Sequence, residues 1–340
     1  MEQVFYFRDR DSFMEHLLEV EEKTSWIHEV PVQDLTFHEN VISPSRLSVS
    51  FRMGSDTAVR KCAMPSVYDR CGISGDSLRH MNGKVLAGVL NAAAKTREKK
   101  YCTISVVDGL VSAILSEGKS KIQYTVLKAS DVFVTTQNCL WSLTDEEERA
   151  FYGAWSYEGI HAVWDTVLQK RLGGERYYVT VGLSTSDIGR GAISISALLK
   201  SKDQRIPLMD DLGVVHRNTC TINDVYESVY MLEHCINGAL EGLGRLESVE
   251  VNNPVNTMKR LARKVKLPKA DSLSVIADYE KENGNTVTTA LECYKTLSKV
   301  LDVYEGHQKN PVYIQTCTSN ILKTMGADWK KYDLPGVFGW

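Results

Sequence analysis

At 340 residues the chain is long enough to bury one large core or two moderate ones. Its 43% hydrophobic and 24% charged residues are those of an ordinary globular protein and exclude disorder of the whole chain. A net charge of −3 excludes a global field that would draw it onto nucleic acid or an acidic membrane, so any such binding must come from a local patch.

No apolar run approaches the roughly 20 residues that span a bilayer, so no membrane partner is expected. The stretch Met1 to Asp9 lacks the basic and apolar regions of a secretory signal. The cysteines (Cys62, Cys71, Cys102, Cys139, Cys220, Cys235, Cys293 and Cys317) are scattered, with no CxxC pair, which reads as reduced thiols in a cytoplasmic protein.

In chain order, a short strand over Val4–Phe7 precedes a helix with Phe13, Leu17, Leu18 and Val20 on one side. Within Val41 to Met53, Leu47, Val49 and Phe51 alternate with Ser48, Ser50 and Arg52, the period of a half-buried strand. Residues 75–95 read as a helix, with Leu78, Met81, Val85, Val89 and Ala93 recurring at three or four residues. An Asp108-Gly109 pair between two apolar runs predicts a hairpin, because a type I′ turn needs positive φ at both positions. A turn over Ser116–Lys121 and a third strand through Ile122, Tyr124 and Val126 complete a predicted meander. Thr144 to Glu147 looks like a capping box opening a short acidic helix.

Residues 153–216 return to period-two alternation, as in Tyr178, Thr180 and Gly182, then Ile193, Ile195 and Ala197. From Thr221 the pattern turns helical: Val225, Val229, Leu232, Ile236, Leu240 and Leu243 form one long stripe. Asn253-Pro254 restarts the chain as N-cap and N1, and Pro268 stops that helix. Helices around 271–282, 287–305 and 313–325 follow. The expected class is α+β: antiparallel meanders with packed helices over 1–142, a second β-rich region over 143–220, and a helical region over 221–340.

Several segments carry candidate chemistry. Around the helix 254–267, Val255, Met258, Leu261, Ala262 and Val265 share one arc, while Lys259, Arg260, Arg263, Lys264 and Lys266 occupy the opposite one. A face without an acid suits phosphates, although charge runs more commonly form solvated faces. Lys95, Arg97, Lys99 and Lys100 are a second basic cluster, also explained by the negative end of a helix dipole. The loop Ser184 to Gly191, with Ser184, Ser186, Asp187 and Gly189, offers hydroxyls and glycines. A phosphate loop should lead into a helix, and the alternation after this one favours a hairpin turn.

Neither His216 with Cys220 nor His234-Cys235 fits a zinc spacing. The carboxylate pairs Asp210-Asp211 and Asp145 to Glu148 have no second cluster with which to share a metal. No Walker loop, GxSxG, HExxH or dinucleotide fingerprint is present, so neither a metal nor a cofactor is expected. The trio Ser186, Asp187 and His216 is the one catalytic arrangement to test, and no strand–turn–helix context supports a nucleophile there.

Met64 to Ile73, the stretch to Leu90-Asn91, Val107 to Ser116, and the turn Ser184-Thr185-Ser186-Asp187-Ile188-Gly189 together resemble the phage/plasmid-like protein family. Bacteriophages, plasmids and integrative elements encode that family. His216, before a helical region, is similar to a histidine of the family, while Ser116-Glu117-Gly118-Lys119 departs from its typical S-D-x-Y. The family brings no catalytic residues. The resemblance implies a mobile-element protein in bacterial cytoplasm, near DNA replication and recombination. The leading expectation is therefore a protein that binds or anneals single-stranded DNA, with homo-oligomers as partners. The second is a factor that self-assembles or engages a host protein through its amphipathic helices or the aromatic-rich stretch Trp329 to Trp340.

Overall fold

The computed structural model describes residues 3–51, 54, 56–117, 124–143, 150–186, 192–202, 204–216, 220–307 and 311–340. The acidic segment Thr144–Glu147, the predicted turn at Gly118–Lys121 with Ile122 of the strand after it, and the loop residues Asp187–Gly191 lie outside them. Helices make up 46% and antiparallel sheets 29%, an α+β protein with its last third helical.

A strand β1 (Phe5–Phe7) leads into helix α1 (Arg10–Glu22), whose N-terminus is capped by Asp9 accepting the Ser12 N–H at 2.7 Å. Phe13 and Leu17, one turn apart, bury α1, and Leu18 faces solvent. The chain then builds β2 (Thr24–Pro31), β3 (Thr36–Glu39), β4 (Leu47–Ser50), β5 (Thr57–Ala58), α2 (Met64–Cys71), α3 (Gly83–Lys95), β6 (Tyr101–Val107) and β7 (Leu110–Glu117). These form two three-stranded sheets, β2-β6-β7 and β3-β4-β5, around one core that includes Phe37, Leu47, Val49, Leu90, Ile104 and Ile114.

After helix α4 (Ala129–Leu140) come β8 (Phe151–Ser156), β9 (Gly159–Leu172), β10 (Glu175–Thr185), β11 (Ile193–Lys200) and β12 (Arg205–Val214). They pair in sequence, and β1 joins the far edge, giving the order β1-β8-β9-β10-β11-β12. Residues alternate buried and half-exposed along β9 to β11, as one covered face requires. The covered face meets α1 and α4 through rings: Phe13 against Phe133 at 5.1 Å edge-on, and Phe133 stacked on Trp164 at 5.6 Å. Gly153 is required there, because a Cβ would sit 2.8 Å from the Phe13 ring.

The remaining helices are α5 (Ile222–Tyr230), α6 (Leu232–Glu247), α7 (Pro254–Lys264), α8 (Lys269–Asn283), α9 (Ala290–His307), α10 (Pro311–Met325) and α11 (Trp329–Tyr332). Val225, Val229, Leu232, Ile236 and Leu243 are buried as the stripe predicts, although a turn at Met231 divides it into two helices. The buried Tyr294 hydroxyl donates to the Pro207 carbonyl at 2.7 Å, tying α9 to β12. A single core runs from Phe13 to Trp329, so the sheet and the last helices share it. The divisions expected at 142/143 and 220/221 both fall inside that core. Residues 24–117 form the separately cored unit, inserted between α1 and α4.

The hairpin at Asp108-Gly109 forms with φ of 50° and 73°, as its type requires. Of the expected third strand, Ile122 lies outside the described residues, Tyr124 makes a single bridge through its N–H to the Ser116 carbonyl at 3.2 Å, and 125–128 form no strand; the sheet gains its third strand from β2, which pairs with β6, Ile27 opposite Ile104. Period two cannot tell a local neighbour from a distant one. Residues 75–95 also differ. A 3-10 turn covers Asp76–His80, Met81 is extended, and α3 starts where the Asn82 side chain accepts the Val85 N–H. That restart buries Leu86, Ala87, Leu90 and Ala94, and leaves Val85 exposed. Helix α4 has no counterpart in the sequence reading, because its run Val132-Phe133-Val134-Thr135-Thr136 has strand composition overridden by packing.

The inserted unit docks through Arg60. Its guanidinium, on a residue 7% exposed, donates to the Val107 carbonyl at 3.1 Å and lies 3.5 Å from the Tyr157 ring centroid. Asp108, in the hairpin turn, accepts the Tyr157 hydroxyl at 2.8 Å and stands 3.8 Å from Arg60. Burial first, then the Asp108 hydrogen bond, holds the Tyr157 phenol above its ordinary pKa.

Candidate nucleic-acid interface

Helix α7 separates its residues as the sequence pattern requires. Val255, Met258, Leu261 and Ala262 are buried, Lys259 and Arg260 are half-buried, and Arg263, Lys264 and Lys266 are exposed. Among the described residues, none of these five cations has a carboxylate within 4.0 Å. The helix ends in a Schellman pair: Leu267 N–H to the Ala262 carbonyl at 2.9 Å and Lys266 N–H to the Arg263 carbonyl at 3.2 Å. That geometry puts Lys266 at φ 62°, a position glycine takes at lower cost. From α10, the Asn320 amide donates to the Lys266 carbonyl at 3.4 Å and its oxygen accepts Lys323 Nζ at 2.8 Å. A cation from another helix thereby joins the end of the basic face.

The stretch after α11 lies along this helix. Asp333 accepts the backbone N–H groups of Asn252 and Asn253 at 2.8 and 2.7 Å, and their side-chain amides at 3.0 and 2.9 Å. Asn253 therefore occupies the N-cap position without capping through its own side chain. Burial pushes the Asp333 carboxyl up, but these hydrogen bonds outweigh it and leave the pKa below its ordinary value. Beyond Asp333, the Asn256 amide donates to the carbonyls of Leu334 and Gly336 and accepts the Phe338 N–H at 3.2 Å. The Phe338 ring centroid lies 4.6 Å from the Arg260 guanidinium and 5.7 Å from that of Arg263. Trp329, 2% exposed, and the half-buried Trp340 pack on the main core, so this segment docks on its own chain.

The second basic cluster belongs to the inserted unit. Arg97 Nε donates to the Cys71 carbonyl at 3.1 Å, over Gly72, so this guanidinium ties α3 to the end of α2. Lys95, Lys99 and Lys100 are exposed, Lys99 in a turn at φ 57°. The cluster rests on a different core from α7, and the two are not joined into one site.

At the Ser184 turn, the described residues Ser184, Thr185 and Ser186 form a structural joint. Ser184 is half-buried in the β9–β11 ladder opposite His161 and Ser194. His216, 2% exposed, has Nδ1 at 3.2 Å from the Thr125 carbonyl and Nε2 at 3.0 Å from the Thr185 hydroxyl. A carbonyl only accepts, so Nδ1 carries the proton and Nε2 accepts from Thr185. Tyr124 stacks on the imidazole at 5.2 Å and donates its hydroxyl to the Ser186 carbonyl at 2.8 Å. The Ser186 hydroxyl donates to the Glu158 carbonyl at 2.6 Å, away from the imidazole. His216 is thus no base for Ser186, and Asp187 lies outside the described residues.

Burial lowers the His216 pKa, with the Thr125 carbonyl opposing. A depressed pKa leaves the unfolded chain binding more protons in acid. The His216 contribution is therefore complete above about pH 6.5 and falls away as pH drops toward the depressed value. Denaturation midpoints from pH 7.5 to 5 should fall in the parent and fall less in His216→Gln. Equal slopes would mean that His216 contributes none of the acid sensitivity.

A groove of about 920 Å³ with a mixed polar and apolar lining opens between α4 and the α5–α6 pair. Tyr226 and Tyr230 stack at 6.1 Å on its wall, both exposed, with Met231, His234 and Glu233 on the rim. Among the described residues no three His, Cys, Asp or Glu side chains are placed to hold a metal, and no helix is long and apolar enough to cross a membrane.

Sequence pattern identified the α7 cations and missed Asn256, Lys323, Asp333 and Phe338. A signal for part of that set is present: Asn256, Arg260 and Arg263 stand at i, i+4 and i+7, one ridge of the helix. Compared with known protein families, curated proteins and solved structures, the chain matches none.

Proposed function

We propose that the basic face of α7 binds nucleic-acid phosphates, with single-stranded DNA as the favoured partner. The carrying observation is a set of five cations on and just after one helix, unpaired with any described carboxylate, in a chain of net charge −3. With 43 acidic residues in the sequence, chance pairing would neutralise some of them. Lys266 strengthens the reading, since a strained backbone position holds a lysine where glycine costs less. The guanidinium planes of Arg260 and Arg263 beside an aromatic ring favour unpaired bases, which expose faces for stacking. Resemblance to phage/plasmid-like proteins supports a role in mobile-element replication or recombination in bacterial cytoplasm.

Anisotropy of a fluorescein-labelled oligo-dT tests this reading. Saturable binding is expected at low salt. Affinity should fall with log-log slope near −0.7 per phosphate contact, roughly −3 for four or five contacts. No binding at any salt concentration would remove the reading.

A second reading, self-assembly or engagement of a host protein, is favoured by the exposed stripe Ile222, Tyr226, Tyr230 and Met231 beside the α4 groove. Light scattering should then give a multimeric mass that Tyr226→Glu with Tyr230→Glu reduces. A monomer at all concentrations would exclude self-assembly.

A further inference from the structure

We infer that residues 334–340 form a displaceable strap over the strand-binding ridge of α7. This rests on the nucleic-acid reading and concerns how that site is controlled. The strap follows the ridge Asn256, Arg260 and Arg263. Asn256 holds its backbone at three points, and Phe338 covers both guanidinium faces. A base stacking on Arg260 or Arg263 needs the place that Phe338 occupies. Arg260 is half-buried as a result, and its Nε is buried without a hydrogen-bond partner, so the closed arrangement leaves a donor unused.

The attachment is uneven in strength. Up to Asp333 the segment is fixed by the buried Trp329 ring and by four hydrogen bonds to one carboxylate. After Asp333 there is no helix or strand, Leu334 is exposed, and Val337 is 99% exposed. Among the described residues, the Asn256 bonds, the Leu334 N–H to the Tyr332 carbonyl at 2.9 Å, the Phe338 ring and the half-buried Trp340 hold this part down. Asp333 therefore works as a hinge post, keeping α7 ordered while the strap leaves. The cations flanking the ridge, Lys259 on one side and Lys264 on the other, stay available for first contact with phosphates.

Three proteins are compared by oligo-dT anisotropy at one salt concentration: the full chain, Phe338→Ala, and a chain ending at Asp333, each checked for an unchanged unfolding midpoint of the main core. Release of the Phe338 ring from the two guanidiniums corresponds to about a three- to tenfold gain in affinity for Phe338→Ala, with at least that gain for the shortened chain. Equal or weaker binding by both variants, with the full chain binding, would overturn the strap and make Phe338 neutral or a stacking platform. Failure of all three to bind would reject the nucleic-acid reading, and the strap's role with it. Because Phe338→Ala leaves Asp333 and Trp340 in place, it decides the matter even if the shortened chain misfolds.

Discussion

Replacing Lys259, Arg260, Arg263 and Lys264 together by glutamate is expected to abolish oligonucleotide binding. Each cation that neutralises a phosphate releases a condensed counterion, and the four reversals replace that gain by repulsion. A loss of roughly 10³-fold or more is expected, since four attractive contacts become four repulsive ones in the same few turns. Arg260 is half-buried under Phe338, so its reversal also threatens folding. The triple variant that keeps Arg260 separates the two effects: it should retain the parent midpoint and still lose most of the affinity. The same reversal at Lys95, Lys99 and Lys100 should cost much less, because those cations sit on the inserted unit away from α7. Undiminished binding by a folded quadruple variant would reject the α7 assignment.

Arg60→Ala is the substitution expected to cost most stability for its size. It removes a donor to the Val107 carbonyl, a cation over the Tyr157 ring and the partner of Asp108 at once. Breaking a fully buried pair costs more, but Asp108 is 41% exposed and keeps much of its hydration. The expected loss is about 2–3 kcal/mol in chemical denaturation. Arg60→Lys should recover little, since an ammonium has neither the plane that stacks on Tyr157 nor the fork that reaches Val107. A loss below about 0.5 kcal/mol would show that the inserted unit is held by its apolar contacts, Cys62, Ala113, Leu115 and its own Trp26 against Tyr124 and Tyr157.

Local rules made much of this fold legible. Asp108-Gly109 set a hairpin, Asn253-Pro254 opened α7, and the stripe from Val225 to Leu243 fixed the buried side of α5 and α6. What escaped was set by distant partners. β2 reaches β6 across more than 70 residues, β1 pairs with β8 from the other end of the insertion, and neither pairing leaves a local trace. Helix α4 was hidden because Val132 to Thr136 favour a strand until Phe133 meets Phe13 and Trp164. At α7 the cations were visible, because one helix periodicity carries them all. The strap was not, because Asn256 meets Phe338 only after four helices have folded between them. His216 could be noticed but not assigned, since its role depends on which groups take its two nitrogens.

The central claim is that nucleic acid lies on the ridge of α7. An oligonucleotide carrying 5-iodouracil, cross-linked by light to the full chain and mapped by peptide mass spectrometry, tests it directly. The account predicts adducts within 254–269, reduced by competing unlabelled strand. Adducts confined to 95–101, or to the groove beside Tyr226 and Tyr230, would contradict it.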